Sequence, residues 1–518
     1  MFHGNVSRQS AAEMFHENVS RSLPGFQEMT KMAEKTLYTQ LLDYCKTDAY
    51  PFHMPGHKRR LGSMADPFSF DITEIEGFDN LHHAEGILKE AQERAADLYH
   101  AKEAFYLVNG STAGILAAVS AALSGERAAF RGGHAQTGKK QEPVILCARN
   151  VHKAACHALY LNRARPVWLF PDVQGEINGK VQPAQVRRAL EQYPDARAVF
   201  ITSPTYDGIV SDIRALAQIA HEAGIPLIVD QAHGAHFGLH PDLPESAVTQ
   251  GADLVITSLH KTLPSLTQTG LLLLGGNLIS PEKLRRFLAI YQTSSPSYVL
   301  MAGMDACVGM MKRDAERIFG DLLANISRFR ERVCALKYIS LLQTDDPTRL
   351  LVSAGDRLSG AAICGILRKR FHIEAEMELP GYVLCLCGAG DDADGFERLC
   401  RALVWIDAWI DAQIPDEKSR MNPVVLQKRM AEAFTAEPEQ VVPLYEAWDA
   451  DAQPVPLHAC AGRISGEFAY LYPPGMPLTI PGERIKPETA VLLAQAGQAG
   501  YGISGMADLS GKTIRVLR

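Results

Sequence analysis

Residues 252–270 read ADLVITSLHKTLPSLTQTG, a short apolar run that breaks into Ser258, His260, Lys261 and Thr262. The run has the length and apolar character of one buried strand. A lysine at its end needs a reason, because an ammonium leaves water only when it is paired or neutral. Two readings stand here. The lysine stem lies along the sheet edge with its amine in solvent, or the strand end belongs to a site.

Working outward, the same alternation recurs from about residue 100. AFYLVNG precedes the helical pattern STAGILAAVSAAL, PVILCARN precedes HKAACHALYL, and RPVWLFP, ARAVFITSP, IRALAQIAHEAG and IPLIVDQAHG follow. Short apolar strands separated by helical stretches specify βαβ units and a mostly parallel sheet covered on both faces, hence an α/β fold. Ligands bind such sheets at the carboxyl ends of the strands. The polar residues of interest fall there, at 109–112, 150–153, 203–207, 230–233 and 258–261.

Beyond about residue 310 the pattern changes to a long helix, AERIFGDLLANISRFRERVCAL, followed by strand-like RLLVSA and YVLCLCG. The expected organisation is an arm over 1–36, a large domain over 37–310, a smaller α+β domain over 311–420 and a C-terminal domain over 421–518. That last part starts with the helical NPVVLQKRMAEAF and ends in a hairpin-like segment. The arm holds a near-duplicate, MFHGNVSR at Met1 and MFHENVSR at Met14, too few copies for a repeat architecture.

At 518 residues and 47% hydrophobic content the chain can bury a large core. Its formal net charge of −7 argues against a nucleic-acid or anionic-membrane partner and favours a small molecule. The ten cysteines are scattered, and Cys385 and Cys387 form C-x-C inside a strand-like run, so neither a zinc site nor a disulfide framework is signalled. No apolar run reaches the roughly 18 residues of a membrane helix, and no signal-peptide core opens the chain. The expected location is the cytoplasm.

Three features give the strand ends chemical meaning. Asn109, Gly110, Ser111 and Thr112 close one strand and open a helix, offering free N–H groups and hydroxyls to an anion, although the same residues make a good N-cap. Asp230 ends a buried strand and needs a cation to stay ionised. Lys261 ends another. A carboxylate, an amine and an anion site on one rim are the handles that pyridoxal 5′-phosphate requires, for its ring nitrogen, its Schiff base and its phosphate. A rival reading takes His233, His236 and His240, with Asp230, as metal ligands; two glycines and the lack of helical context weigh against it, and no metal is expected.

The chain resembles the fold-type-I pyridoxal-phosphate enzymes and, among them, the Orn/Lys/Arg decarboxylase family, from about Leu37 to the C-terminus. The resemblance rests on motifs in order: PFHMPGHKR (51–59), GFDNLHHAEGILKEAQ (77–92), VNGSTAG, NVHKA, SPTYDGI, DQAHGAHF, SLHKTLPSLTQ, TSSPSY (293–298), AGRISGE (461–467) and YPPGMPLTIPGE (472–483). It implies that Lys261 carries the cofactor, Asp230 pairs with its ring nitrogen and His152 stacks on the ring with His233 beside it. Gly110, Ser111, Thr112, Ser258 and His260 hold the phosphate. TSSPSY, through Ser294, reaches a partner's phosphate in a homodimer, unless Ser294 and Ser295 simply cap a helix. Lys261 or His260 returns the proton to Cα, and Glu467 and Glu483 receive the distal cation of the substrate.

The implied reaction is decarboxylation of arginine, lysine or ornithine, with arginine placed first, on the route to polyamines. An aminotransferase would instead need an arginine such as Arg349 or Arg368 to clamp the α-carboxylate; an aldolase or a non-catalytic homologue of the same fold are the remaining alternatives. Two departures from the family pattern stand out. PFHMPGHKR begins at residue 51, which leaves no room for the N-terminal wing domain of the large members, so no decamer is expected. Ala84 stands where proline is expected in HHAEG.

Overall fold

The computed structural model describes residues 46–58, 67, 71–124, 142–174, 177–412, 425, 427–430, 437–471, 476–498 and 503–518. The duplicated N-terminal segment, Arg59 of PFHMPGHKR and residues 472–475 of the proline-rich motif lie outside them. The chain divides after Ala49, and the larger unit, Tyr50–Arg518, contains the sheets and the cavity.

A seven-stranded sheet organises this unit. Its strands are β1 (Glu103–Leu107), β2 (Val144–Ala148), β3 (Arg165–Leu169), β4 (Val199–Thr202), β5 (Leu227–Asp230), β6 (Leu254–Thr257) and β7 (Gly270–Leu274), in the spatial order β1-β7-β6-β5-β4-β2-β3. All run the same way except β7, which lies antiparallel between β1 and β6. The α/β reading is therefore what the chain forms. The expected strands are present, and β7, directly after the lysine segment, is an addition to them. VILCA, LVIT and GLLLL are buried at every position, which a sheet tolerates only when both faces are covered.

Helix α1 (Gly110–Leu123) packs on β1, β5, β6 and β7, and its run of Ala, Gly and Ser lets it come close. A Cβ at Gly114 would lie 2.7 Å from Leu107 Cδ1 and 3.1 Å from an Ile256 methyl, so the helix would be pushed off the sheet. Helices α2 (Lys153–Leu161) and α3 (Ile213–Glu222) follow β2 and β4.

Past the large sheet, helix α4 runs unbroken over Tyr298–Val333. It starts before residue 310 because Ser297, not Ser294 or Ser295, is its N-cap: the Ser297 hydroxyl accepts from Leu300 N at 3.4 Å. An antiparallel sheet follows, built from β8 (Ser340–Leu342), β9 (Arg349–Ser353), β10 (Met377–Glu378) and β11 (Val383–Leu386) in the order β8-β9-β11-β10. The terminal strand β13 (Thr513–Leu517) pairs antiparallel with β12 (Ala452–Pro456). The expected terminal hairpin is thus replaced by a pairing across some sixty residues. Among the described residues no helix is long and apolar enough to cross a membrane.

Candidate active site

Parallel pairing brings the carboxyl ends of β1, β2, β4, β5 and β6 to one rim, and a cavity of about 540 Å³ opens there. Gly110, Ser111 and Thr112 reach it from the first turn of α1, and His152 from the N-cap of α2. Asp230 and His233 follow β5; Ser258, His260 and Lys261 follow β6. The sequence-predicted ring, lysine and phosphate residues therefore share one cavity, Ser294 excepted.

Lys261 sits on the short helical turn Leu259–Thr262, with Nζ 2.8 Å from His233 Nε2. Burial lowers its amine to about 8, against the opposing pull of Asp230 and Glu376. Burial likewise keeps His233 far below its ordinary value, helped by Lys261 and Arg349, so a neutral imidazole accepts from the amine. The Tyr206 ring lies 4.4 Å from the His233 ring, centroid to centroid. Asp230 accepts from Ala232 N at 3.1 Å; burial pushes its carboxyl up and Lys261 opposes this.

His152 faces the cavity as a neutral ring, brought down to about 3 by burial and then by Lys261, while its Nδ1 accepts from Ala154 N at 3.2 Å. His260 is brought down to about 4 by burial. Its Nδ1 donates to the Thr269 carbonyl at 2.9 Å, which leaves Nε2 as the acceptor.

The other end of the cavity is built for an anion. The hydroxyls of Ser111 and Ser258 are hydrogen-bonded to each other, and Thr112 stands beside them. Asn109, at the N-cap of α1, turns its side chain away to accept from Thr293 N at 3.1 Å, so no side chain caps the first-turn N–H groups. Gly110 has φ +72°, a left-handed conformation that glycine enters without penalty.

A buried charged cluster backs the site. His236 Nδ1 lies 3.2 Å from Thr262 Oγ1 and its Nε2 3.1 Å from Asp346 Oδ1. Arg349 lies 3.5 Å from Asp346 and donates from Nη2 to the His233 carbonyl at 2.6 Å. Burial pushes the Asp346 carboxyl up, but His236 and Arg349 more than offset it and hold it below its usual range. The cluster thus grips the residue after Lys261 and the backbone of His233.

Several expected residues lie elsewhere. Glu483 is buried and grips Arg149 through both oxygens, at 2.7 and 2.9 Å. Glu467 accepts from Ala507 N and Arg515 N, at 2.8 and 2.7 Å. Neither lines the cavity, and both carboxylates are already used by the fold. Ser294 is exposed and outside the cavity. Arg368 pairs with Glu374 at the surface, 2.8 Å away, and Arg349 belongs to the buried cluster, so neither faces the cavity. The three histidines part company: His233 meets Lys261, His236 meets Asp346 and His240 lies 3.8 Å from Asp242. Among the described residues no group of His, Cys, Asp and Glu could hold a metal ion.

The cavity also contains residues to which the sequence assigned no role, although Asn150, Tyr206 and Asp207 stand within the strand-end ranges singled out above. Glu376 Oε1 accepts from the Tyr206 hydroxyl at 2.5 Å and Oε2 from Met54 N at 2.8 Å. Asp207 accepts from the Tyr382 hydroxyl at 2.6 Å and is pushed up to about 6 by burial. Asn150 Oδ1, Asn178 Oδ1, Thr202 Oγ1 and His233 Nδ1 are buried, have no hydrogen-bond partner and line this same cavity. Each such atom costs about 1–3 kcal/mol, so their concentration here fits a polar ligand.

Comparison with known proteins bears on the family of the chain. A family model described as "Orn/Lys/Arg decarboxylase, major domain" matches residues 35–354, and "Orn/Lys/Arg decarboxylase, C-terminal domain" matches 427–495. The arginine decarboxylase of Bacillus subtilis (strain 168) is 30% identical over 508 residues, covering 94% of this chain and 98% of its own. The constitutive lysine decarboxylase of Escherichia coli (strain K12) is 23% identical over 561 residues, covering 88% of this chain and 76% of its own. Among solved structures, lysine decarboxylase A from Pseudomonas aeruginosa matches with a TM-score of 0.70 at 18% identity, over 86% of this chain and 73% of that one. That last likeness is one of fold.

Proposed function

Because the chain belongs to the Orn/Lys/Arg decarboxylase family, we propose that its substrate is arginine, released as agmatine and CO₂. The reaction class is decarboxylation of a basic amino acid, and the cofactor is pyridoxal 5′-phosphate. The residues present fit that cofactor: a half-buried amine sharing the cavity with a buried carboxylate, an uncapped helix N-terminus with serine hydroxyls, and unpaired buried polar atoms on the cavity wall.

When bound, the cofactor supplies an electron sink for the pair left at Cα as CO₂ departs. The chain supplies the rest. Lys261, partly neutral near pH 8, is the nucleophile that anchors the cofactor. Asp230, buried and facing the Lys261 charge, keeps a proton on the ring nitrogen. His152 presents a neutral ring face, and Ser111, Thr112 and Ser258 with the first turn of α1 bind the phosphate. Lys261 returns a proton to Cα, because the one N–H of the neutral His260 ring is held by the Thr269 carbonyl.

The observation that carries arginine is Glu376. Unlike Glu467 and Glu483 it lines the cavity, and although Tyr206 and Met54 each take one lone pair of its two oxygens, each oxygen keeps a second for the paired N–H groups of a guanidinium; an ammonium uses a single point contact. The near-complete coverage of the arginine decarboxylase relative supports the same choice. The active unit is a homodimer in the cytoplasm and its product feeds polyamine synthesis. The exposed 293–295 segment, tied through Thr293 N to Asn109 at the phosphate end, supports a shared site. The division into large (37–310), small (311–420) and C-terminal (421–518) domains, with α4 spanning the first boundary, completes the proposal.

Purified protein with cofactor is to be incubated separately with arginine, lysine and ornithine, and the product amines identified. Agmatine in clear excess over cadaverine and putrescine is expected. Preference for lysine or ornithine refutes the arginine assignment, and no amine from any of the three sinks the decarboxylase reading.

A further inference from the structure

Lys58 is a buried cation with no role in the chemistry above. Its side chain is 0% exposed. Nζ donates to the carbonyls of His53 at 2.8 Å and Leu386 at 2.6 Å and lies 3.6 Å from Asp391 Oδ2. Two ammonium donors are therefore taken by carbonyls on two loops, 53–58 and 386–391, and the charge is paired with Asp391 on the second. The Asp391 carboxylate, also 0% exposed, accepts from Gly388 N at 2.7 Å and from the Tyr50 hydroxyl at 3.1 Å. Lys58 itself has φ +51°, a backbone state that a residue with a side chain keeps only where its surroundings enforce it. A desolvated pair of this kind contributes little net stability compared with an apolar one. Its geometry is what an apolar pair does not reproduce.

The two loops enclose the turn that carries Lys261. Gly56 N donates to the carbonyl of His260 at 2.8 Å, and Ala389 N donates to that of Thr262 at 3.0 Å. Gly390 N donates to Gly56 O at 2.9 Å and joins the loops to each other. The backbone carbonyls before and after Lys261 are thus each held by one loop. There is no slack: a Cβ on Gly56 would lie 2.3 Å from the Thr262 carbonyl carbon, and one on Gly388 2.9 Å from Gly56 Cα. Loop 53–58 also brings Met54 to the cavity wall and, through Met54 N, orients Glu376.

We propose that Lys58 is a positioning residue, whose ion pair with Asp391 staples loops 53–58 and 386–391 around the 260–262 turn and so sets where the Lys261 amine stands. The proposal rests on Lys261 being the lysine that bears the cofactor. Loss of a staple that only added stability would lower the melting temperature and leave the chemistry of the folded enzyme alone. A staple that positions changes the chemistry too.

The test compares Lys58→Met, Lys58→Arg and Asp391→Asn in the full chain loaded with pyridoxal 5′-phosphate. It reads kcat, KM and the pH midpoint of the bound cofactor's visible absorbance. Lys58→Met is expected to bind cofactor but lose about 10- to 100-fold in kcat, the scale of a small misplacement at a reacting group. KM is expected to change much less, and the midpoint to shift by about one pH unit. Lys58→Arg, which keeps the charge, is expected to recover part of both. Parental kcat and midpoint in folded Lys58→Met overturn the proposal. Should that variant fail to fold, Asp391→Asn decides on the same two readouts, and parental values there overturn it equally. Lys261→Ala is run in parallel: if it keeps parental absorbance and turnover, the assignment of Lys261 has failed, and the staple reading falls with it for that separate reason.

Discussion

Lys261 Nζ stands 2.8 Å from His233 Nε2, with His233 buried and Lys261 half-buried. With the imidazole neutral and the amine brought down from 10.5 to about 8, the lysine is a usable nucleophile under mild conditions. Cofactor-free protein is expected to load pyridoxal 5′-phosphate at a rate that rises with pH and levels off above about 8. A rate still climbing steeply at pH 10, followed by absorbance, counts against the depressed amine.

The same shift has a stability consequence. Between about pH 8 and 10.5 the folded cofactor-free protein binds fewer protons at Lys261 than the unfolded chain does, so unfolding free energy rises as pH climbs through that window. Lys261→Met lacks this contribution. Urea midpoints of the two cofactor-free proteins are expected to differ most at pH 7, in favour of the variant, and to converge toward pH 10.

Lys261→Ala is expected to abolish CO₂ release from arginine while leaving the phosphate site able to bind inorganic phosphate or free cofactor. Multiple turnover in that variant refutes the role given to Lys261.

Glu376→Gln removes the charge from an acceptor already fixed by Tyr206 and Met54. A hydrogen bond to a charged group is worth about 1.5–3 kcal/mol, so KM for arginine should rise by roughly ten- to a hundredfold. An unchanged KM takes Glu376 out of substrate recognition.

Glu483→Gln should behave in the opposite way. It leaves Arg149 buried without its partner, which costs about 3–5 kcal/mol in urea unfolding. KM of the protein that remains folded should stay within about twofold, because Glu483 does not line the cavity. A large KM effect with little loss of stability would return Glu483 to the substrate site.

The strand ends were legible because a buried parallel strand ends where its apolar run ends, and the residue type there is visible in one dimension. Asp230, His233 and Lys261 were found that way. Glu376 was not, since it lies between Glu374 and Glu378, and only the tertiary fold separates the carboxylate on the cavity from one pairing with Arg368. Glu467 and Glu483 misled for the converse reason. An acidic residue inside a motif looks equally important whether it meets substrate or receives backbone N–H groups and an arginine. Lys58 stands inside a motif too, but its acceptors are carbonyls, which sequence does not advertise.

Strand β7 has one more implication, for biosynthesis. It is the last strand of the large sheet to leave the ribosome, yet it sits between β1, the first made, and β6. Until Gly270–Leu274 emerges, Glu103–Leu107 has no strand neighbour in this sheet, and the turn that opens α1 is not yet joined through the sheet to the lysine turn. Strand edges left open through so long a stretch of translation are prone to pair with other chains. Chain yield in a cell should therefore respond to chaperone supply during synthesis, and substitutions in β7 should affect recovery of the protein before they affect its catalysis.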